Sequence, residues 1–442
     1  MTSSGRLVVA DGVSTGVEIV YGTPEIDSVD PPQVPLGGGV QLVIEGRNFA
    51  PETVVVVGGV LVAGARILDS SRISLVAPEL PSGRHLITLH HRGGIAQRPL
   101  VVLPIPLDQL QPGEITTFAG GTSFAGEGEP ANQAQLAFPD GIALAANGDL
   151  LVADTSNHRI RRVDAVTGLT FSVVGSGLEG FSPDGALAIA SSLREPAGLA
   201  LDRAGDLYFT DAARIRRVDA RQGVIRTVAG GGFPADGVGD GGPASEARLD
   251  SGDLALDGRG NVYLADRFLH RVRRVDAMTG LITSVAGTGE QASTGDNGPA
   301  TSATLNMPFG LAFDRTENLF IAEFLGRRIR RIDRESETIA TVAGKSGFPG
   351  IGGEGGPATD ALLGGPFDVA VDGSGNLFIA DTDRVWRVDA ASGIIEILAG
   401  GNGLGFSGDG DQAREARLNR PRSILLDGSS NIYICDTVNN RV

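Results

Sequence analysis

The chain has 442 residues, 41% of them apolar, with 65 glycines, 23 prolines and one cysteine. Its formal charge of −16 disfavours nucleic-acid backbones and anionic membrane surfaces, and the lone Cys435 excludes an intrachain disulfide. Patterned apolar residues among so many glycines exclude disorder and point to an all-β chain of short strands and tight turns.

In chain order, RLVVADGVSTGVEIVYG at 6–22 reads as the last strands of an earlier domain, so residues 1–23 form a remnant. Both ends of the chain read as truncations. The N-terminus has no signal-peptide core, which leaves location open. No 18-residue apolar, uncharged window is present that could span a membrane. Residues 24–104 alternate short apolar and polar runs. They carry Pro31, the turn Gly37-Gly38-Gly39 and Gly46-Arg47-Asn48-Phe49, then RISLVAPELPSGRHLITL at 72–89. These residues resemble an IPT/TIG domain, which implies an immunoglobulin-like sandwich. Residues 105–113 form a linker.

From residue 114 onward one unit recurs. Its core is an apolar strand, a turn, a second apolar strand and an acid, as in GIALAANGDLLVAD at 141–154 and DVAVDGSGNLFIAD at 368–381. The closing acids are Asp154, Asp211, Asp266, Glu323, Asp381 and Asp436, each 55–58 residues from the next. A third strand follows, RIRRVD at 159–164 and its copies. A fourth ends in Ala-Gly, as in LITSVAG at 281–287. Four short antiparallel strands per repeat make a propeller blade, and a blade cannot bury both faces alone. EITTFAG at 114–120 is a fourth strand without its first three, whereas 421–442 supplies the first strands without a fourth. Joined, they close a six-bladed β-propeller over 114–442 and leave no open edge. Cys435, within the apolar run 431–435, is expected in the core.

The run from Gly310 through the closing acid, and the loop Asp154-Thr155-Ser156-Asn157-His158-Arg159-Ile160, resemble the NHL repeat. Ala145 departs from the pattern that Asp202 keeps, and Ser251 stands at a usual proline. The paired resemblances imply a large bacterial surface or secreted protein, with the propeller as a protein-binding or glycan-binding module. They also imply that the IPT/TIG domain is a spacer or adhesion unit.

The long loop joining each fourth strand to the next first strand carries motifs such as GEGEPANQAQL at 126–136 and GDNGPATSATL at 295–305. Their Pro and their Ala/Leu spacing predict a short helical turn, with Pro at its first position and Leu against the sheet. Each loop places an acid three residues before that Pro or its replacement: Glu127, Asp184, Asp240, Asp296, Glu354 and Asp409. Each either holds its own Gly-rich turn, or the six form a ring on one face that receives cations or basic ligand groups. The ring is the candidate ligand site. The strand-two acids are expected to bond the following turn or to pair with the arginine that opens strand three. The arginine runs are expected to pair with acids between blades on a solvated rim rather than to bind RNA.

No catalytic set, metal site or cofactor motif is visible. Within the propeller only His158 and His270 are present, both at one turn position, too few for a His-rich zinc site. The expectation is therefore a non-catalytic extracellular binding scaffold, with a monomeric propeller inside a larger chain. Its ligand is a protein or glycan, and neither nucleic acid nor membrane insertion is involved. The alternative is a propeller lyase or lactonase-type hydrolase with a metal in the central channel. Converging His, Asp or Glu side chains there would favour the enzyme; a channel of Ala, Leu and Gly would favour the scaffold.

Overall fold

The computed structural model describes residues 6–7, 19–20, 23–30, 33–35, 39–78, 83–91, 94–103, 112–120, 127–250, 252–345, 350–429 and 431–442. Most of residues 1–23, most of the expected linker and Ser251 lie outside them. The chain divides into two compact units, Met1–Leu110 and Gln111–Val442.

In the first unit two sheets enclose a core. One orders Glu25–Asp30, Gln41–Arg47, Arg72–Val76 and Arg66–Asp69; the other is built on Gly83–His91 and Gly94–Leu103. Alternation along Gln41–Arg47 buries Leu42 and Ile44 against Phe49, Val55, Ile73 and Leu89. The Gly-Arg-Asn-Phe motif has a steric origin. A Cβ on Gly46 would lie 2.0 Å from the Glu25 carbonyl oxygen, Asn48 is left-handed at φ 63°, and Phe49 fills the core.

In the second unit six antiparallel sheets succeed one another. The first contains Ile142–Leu144, Leu150–Asp154, Arg159–Val163 and Leu169–Val174, innermost to outermost. The next four repeat that order, beginning at Pro196–Leu201, Leu254–Leu256, Pro308–Phe313 and Asp368–Val371. The sixth holds Pro421–Leu426 and Ile432–Asp436. Each innermost strand touches the next, and that of the sixth sheet touches that of the first, so the ring is closed around a central channel. Separate apolar cores lie between neighbouring sheets. Ala153 and Ile160 of the first, for instance, pack with Leu207 and Phe209 of the second.

Residues 115–119 are not a regular strand, but they complete the sixth sheet. The Phe118 and Ala119 amides donate to the Val442 carbonyl at 2.7 and 3.0 Å, and Val442 N donates to Ala119 O at 2.8 Å. Gly120 confirms the register. It is left-handed, and a Cβ there would lie 2.2 Å from the Asn440 carbonyl. Gly287, which follows a complete fourth strand, is left-handed in the same way, and a Cβ there would lie 2.4 Å from His270 O. Cys435 is fully buried.

The long loops form 3-10 turns at Ala131–Gln133, Ala244–Glu246, Ala300–Ser302 and their counterparts. Proline sits one residue before the turn, as its cap, rather than at its first position. The following leucines Leu136, Leu193, Leu249, Leu305, Leu363 and Leu418 are all buried.

Candidate functional site at the mouth of the channel

The six loop acids do not converge. Each bonds a side chain or amide near its own outer strand: Glu127 with Ser172 Oγ (2.6 Å), Asp184 with Thr227 N (2.8 Å), Asp240 with Ser284 Oγ (2.6 Å). Asp296 takes Thr341 Oγ1 (2.8 Å), Glu354 takes Ile397 N (3.3 Å), and Asp409 takes Thr117 Oγ1 (2.7 Å).

Four of these acids also face an arginine that is buried, not on a rim. Arg273 lies 2.8 Å from Asp240 and 3.4 Å from the strand-two acid Asp266; Arg330 lies 2.7 Å from Asp296 and 3.0 Å from Glu323. Arg161 and Arg216 occupy the same place at longer range. The arginine that opens strand three stands two residues earlier on the same face, since strand three runs in unbroken register with strand two and side chains alternate. The strand-two acids also bond the following turn, as the other expectation had it: Asn157 Nδ2 donates to Asp154 at 2.9 Å and Asn439 Nδ2 to Asp436 at 2.6 Å. In the fifth sheet Trp386 replaces the arginine, and its Nε1 donates to Asp381 at 3.0 Å. The expected solvated pairs are made by the next arginine along, within a blade rather than between blades, as in Arg162–Asp149 (3.4 Å) and Arg274–Asp276 (3.2 Å).

His158 and His270 are left-handed residues that close the turn after strand two, at φ 52°. His270 Nδ1 accepts the Met307 amide at 3.2 Å, and burial lowers its pKa, which keeps that nitrogen free of a proton. Among the described residues no three His, Cys, Asp or Glu side chains are grouped as a metal would require.

Sequence reasoning missed a cavity of about 210 Å³ at the inner-strand starts. Its wall includes Phe138, Asp140, Ser156, Glu195, Asp253, Arg267, Phe309 and Arg422. Each comes from a defined local structure. Phe138 and Glu195 are left-handed residues before prolines, at φ 47° and 50°, a costly conformation for non-glycine residues. Ser156 and Arg267 belong to the 3-10 turns after strand two. Arg422 Nη1 donates to Asp140 at 2.8 Å, joining the sixth sheet to the first. Phe309 packs edge-on to Phe367 at 5.3 Å, and Arg267 and Arg422 lie over its face.

Two carboxylates stand at the starts of inner strands, Asp253 just before Leu254–Leu256 and Asp368 as the first residue of Asp368–Val371, where other blades have glycine or serine. Asp253 receives the Leu311 amide at 3.2 Å, and Asp368 receives the Ile424 amide at 2.9 Å. Burial pushes Asp253 up to about 7, with the charge of Asp140 adding to the rise. Burial, then the charge of Asp253, raises Asp368 well above the carboxylate range. The channel is thus neither the converging donor set nor the plain apolar lining anticipated.

An IPT/TIG domain model matches residues 24–101, an NHL repeat model matches 136–163, and a teneurin NHL domain model matches 179–233. Human teneurin-1 is 27% identical over 357 residues, which are 71% of this chain and 12% of that protein. SUPPRESSOR OF QUENCHING 1, chloroplastic, of Arabidopsis thaliana is 28% identical over 196 residues, 42% of this chain and 18% of that protein. The chain therefore spans under a fifth of the length of either relative. A solved auxiliary nutrient binding protein from Bacteroides ovatus aligns with a TM-score of 0.53 at 16% identity, over 95% of this chain and 96% of its own, a likeness of fold. The chain joins an IPT/TIG domain to a β-propeller of NHL repeats.

Proposed function

We propose that the protein is a non-catalytic extracellular or cell-surface recognition module that takes part of a protein or glycan ligand at the mouth of the propeller channel. The IPT/TIG domain serves as spacer or adhesion unit. One observation carries this reading: the repeat breaks its own symmetry there. Glycines, turn acids, buried leucines and inward-facing arginines recur from blade to blade because the fold needs them. The six equivalent channel positions instead hold Asp140, Ala197, Gly252, Phe309, Phe367 and Arg422. Residues that the fold does not dictate, gathered in one cavity with a few converging polar groups and aromatic walls, are the ordinary make-up of a ligand site. The loop acids, engaged within their own blades, are architecture in this reading.

The test is binding of the whole chain to a glycan array and to a panel of surface proteins. The captured ligand should be lost in Arg267→Met and Phe138→Ala and kept in Glu354→Gln. Loss only in Glu354→Gln would return the site to the loop ring.

A second reading, a lyase or hydrolase, is favoured by Asp253. A carboxyl with a pKa of about 7 on a cavity wall has the property of a general acid. Turnover of a captured ligand that Asp253→Asn abolishes, with binding intact, would establish it.

A further inference from the structure

Resting on the channel-mouth reading, we infer that the ligand is a protein, which seats one apolar side chain flanked by basic residues on an aromatic patch beside the cavity. The patch runs across the third, fourth and fifth sheets. Phe268, in the turn after the third sheet's second strand, and Leu325, its counterpart in the fourth, are 56% and 45% exposed. Stacked phenyl rings back them. Phe309 and Phe367, both buried, meet edge-on at 5.3 Å, and Phe324 lies 4.7 Å from Phe367. Arg267 links Phe268 to this stack, its guanidinium carbon 5.0 Å from the Phe268 centroid and 4.9 Å from that of Phe309. Met307 links the two turns: its amide donates to His270 Nδ1 at 3.2 Å, and its carbonyl accepts the Phe324 amide at 3.0 Å. The fold does not ask for these side chains. Ser156 holds the turn position of Phe268 in the first sheet, and Glu195 and Arg420 hold the left-handed position of Met307 in the second and sixth.

An exposed apolar patch with charge at its border marks a contact with another molecule, and aromatic rings, methionine and arginine are the side chains enriched where proteins meet. Charge sets what flanks the seated residue. Burial lowers the pKa of Arg267; the charges of Asp140, Asp250 and Glu195 oppose that shift, and the charge of Arg422 adds to it. Three acids against two arginines leave no call for an anion and one negative charge in excess. With the chain's net charge of −16, that excess attracts lysine or arginine beside the apolar anchor. A glycan is the poorer match. Among the described residues the cavity wall carries no Asn, Gln, Tyr or Trp, the amides and polar rings that exchange hydrogen bonds with sugar hydroxyls. The cavity, about 210 Å³, is smaller than the ~300–1,000 Å³ typical of drug-sized sites. That size suits one side chain, with Phe138 half exposed on the wall to meet it.

The experiment selects ligands for the full chain from a displayed library of random peptides and, in parallel, from a glycan array. The expected result is enrichment of peptides that carry Phe, Trp, Leu or Met next to Lys or Arg. In fluorescence polarisation, synthetic copies of those peptides should bind roughly ten-fold or more weakly to the double variant Phe268→Ser, Leu325→Ser. They should bind at unchanged strength to Phe233→Ser, which alters an exposed ring on an outer loop. Serine in place of the peptide's own apolar residue should weaken binding by a similar factor, a comparison that needs no altered protein. A glycan held through Phe138 and Arg267 and indifferent to the double variant, with no such peptide enriched, overturns the protein inference and leaves the channel-mouth reading standing. Enriched peptides that are acidic, or that bind the double variant as tightly as wild type, also overturn the inference. If the ligands from both sources are held equally by wild type, Arg267→Met and Phe138→Ala, the channel-mouth reading fails with it.

Discussion

Arg273 has no exposed surface and stands between Asp266 and Asp240, both within salt-bridge distance. Burying a guanidinium is costly unless paired, so the pair stabilises mainly against its own breakage. Arg273→Met should therefore cost about 3–5 kcal/mol in urea unfolding, because it leaves the fully buried Asp266 uncompensated; a loss below about 1 kcal/mol would contradict this account. Asp253 makes a pH prediction. Its folded pKa of about 7 lies above the ordinary 3.8, so between these values the folded state holds the extra proton. Its contribution to stability is thus favourable at low pH and lost as pH rises through about 7. Asp253→Asn should flatten that decline and raise stability at pH 8 by on the order of 1–2 kcal/mol after solvent screening. An unchanged pH profile would contradict it. The arginines show where sequence reading stopped. The runs Arg159-Ile160-Arg161-Arg162 and their copies displayed a charge partner problem, and alternation puts Arg161 and Arg162 on opposite faces. What the sequence did not show is which face is covered, and so that Arg161 is buried beside Asp154 while Arg162 stays half exposed.

At the scale of elements, the long loop is a defined structure. A proline-capped 3-10 turn presents Ala300 and Ala303, then drops Leu305 into the core between the third and fourth sheets. Leu305→Ala should cost about 2–5 kcal/mol, measured by chemical denaturation. A change within about 0.5 kcal/mol would mean the loop does not share the core. This element was legible because its signals are local: proline, small residues and leucine at fixed offsets, repeated. The acid three residues before the proline was equally visible, but its role was not. Its partners, such as Thr341 for Asp296, lie 45 residues on, at the outer strand of the same sheet.

Across the whole molecule, the ring is held shut by residues from opposite ends of the propeller segment. Deleting 114–120 removes the Phe118 and Ala119 bonds to Val442 and the edge-to-face contact of Phe118 with Tyr433 at 5.5 Å. The deletion should lower the propeller's thermal midpoint by roughly 10 °C or more and promote edge-mediated association. Calorimetry with light scattering that shows an unaltered monomeric transition would refute the closure. Closure was legible because two incomplete repeats complement each other. The channel mouth was not. Asp140, Arg267 and Arg422 belong to three different blades, follow no motif, and become visible only as columns where aligned repeats disagree. That disagreement underlies the central claim that recognition occurs at the channel mouth. Hydroxyl-radical footprinting of the chain with its captured ligand tests this claim most directly. Protection should appear at Phe138, which is half exposed in the free protein, with the exposed loop residues Phe233 and Leu404 unprotected. Protection confined to those loop residues, with the channel mouth unchanged, would contradict it.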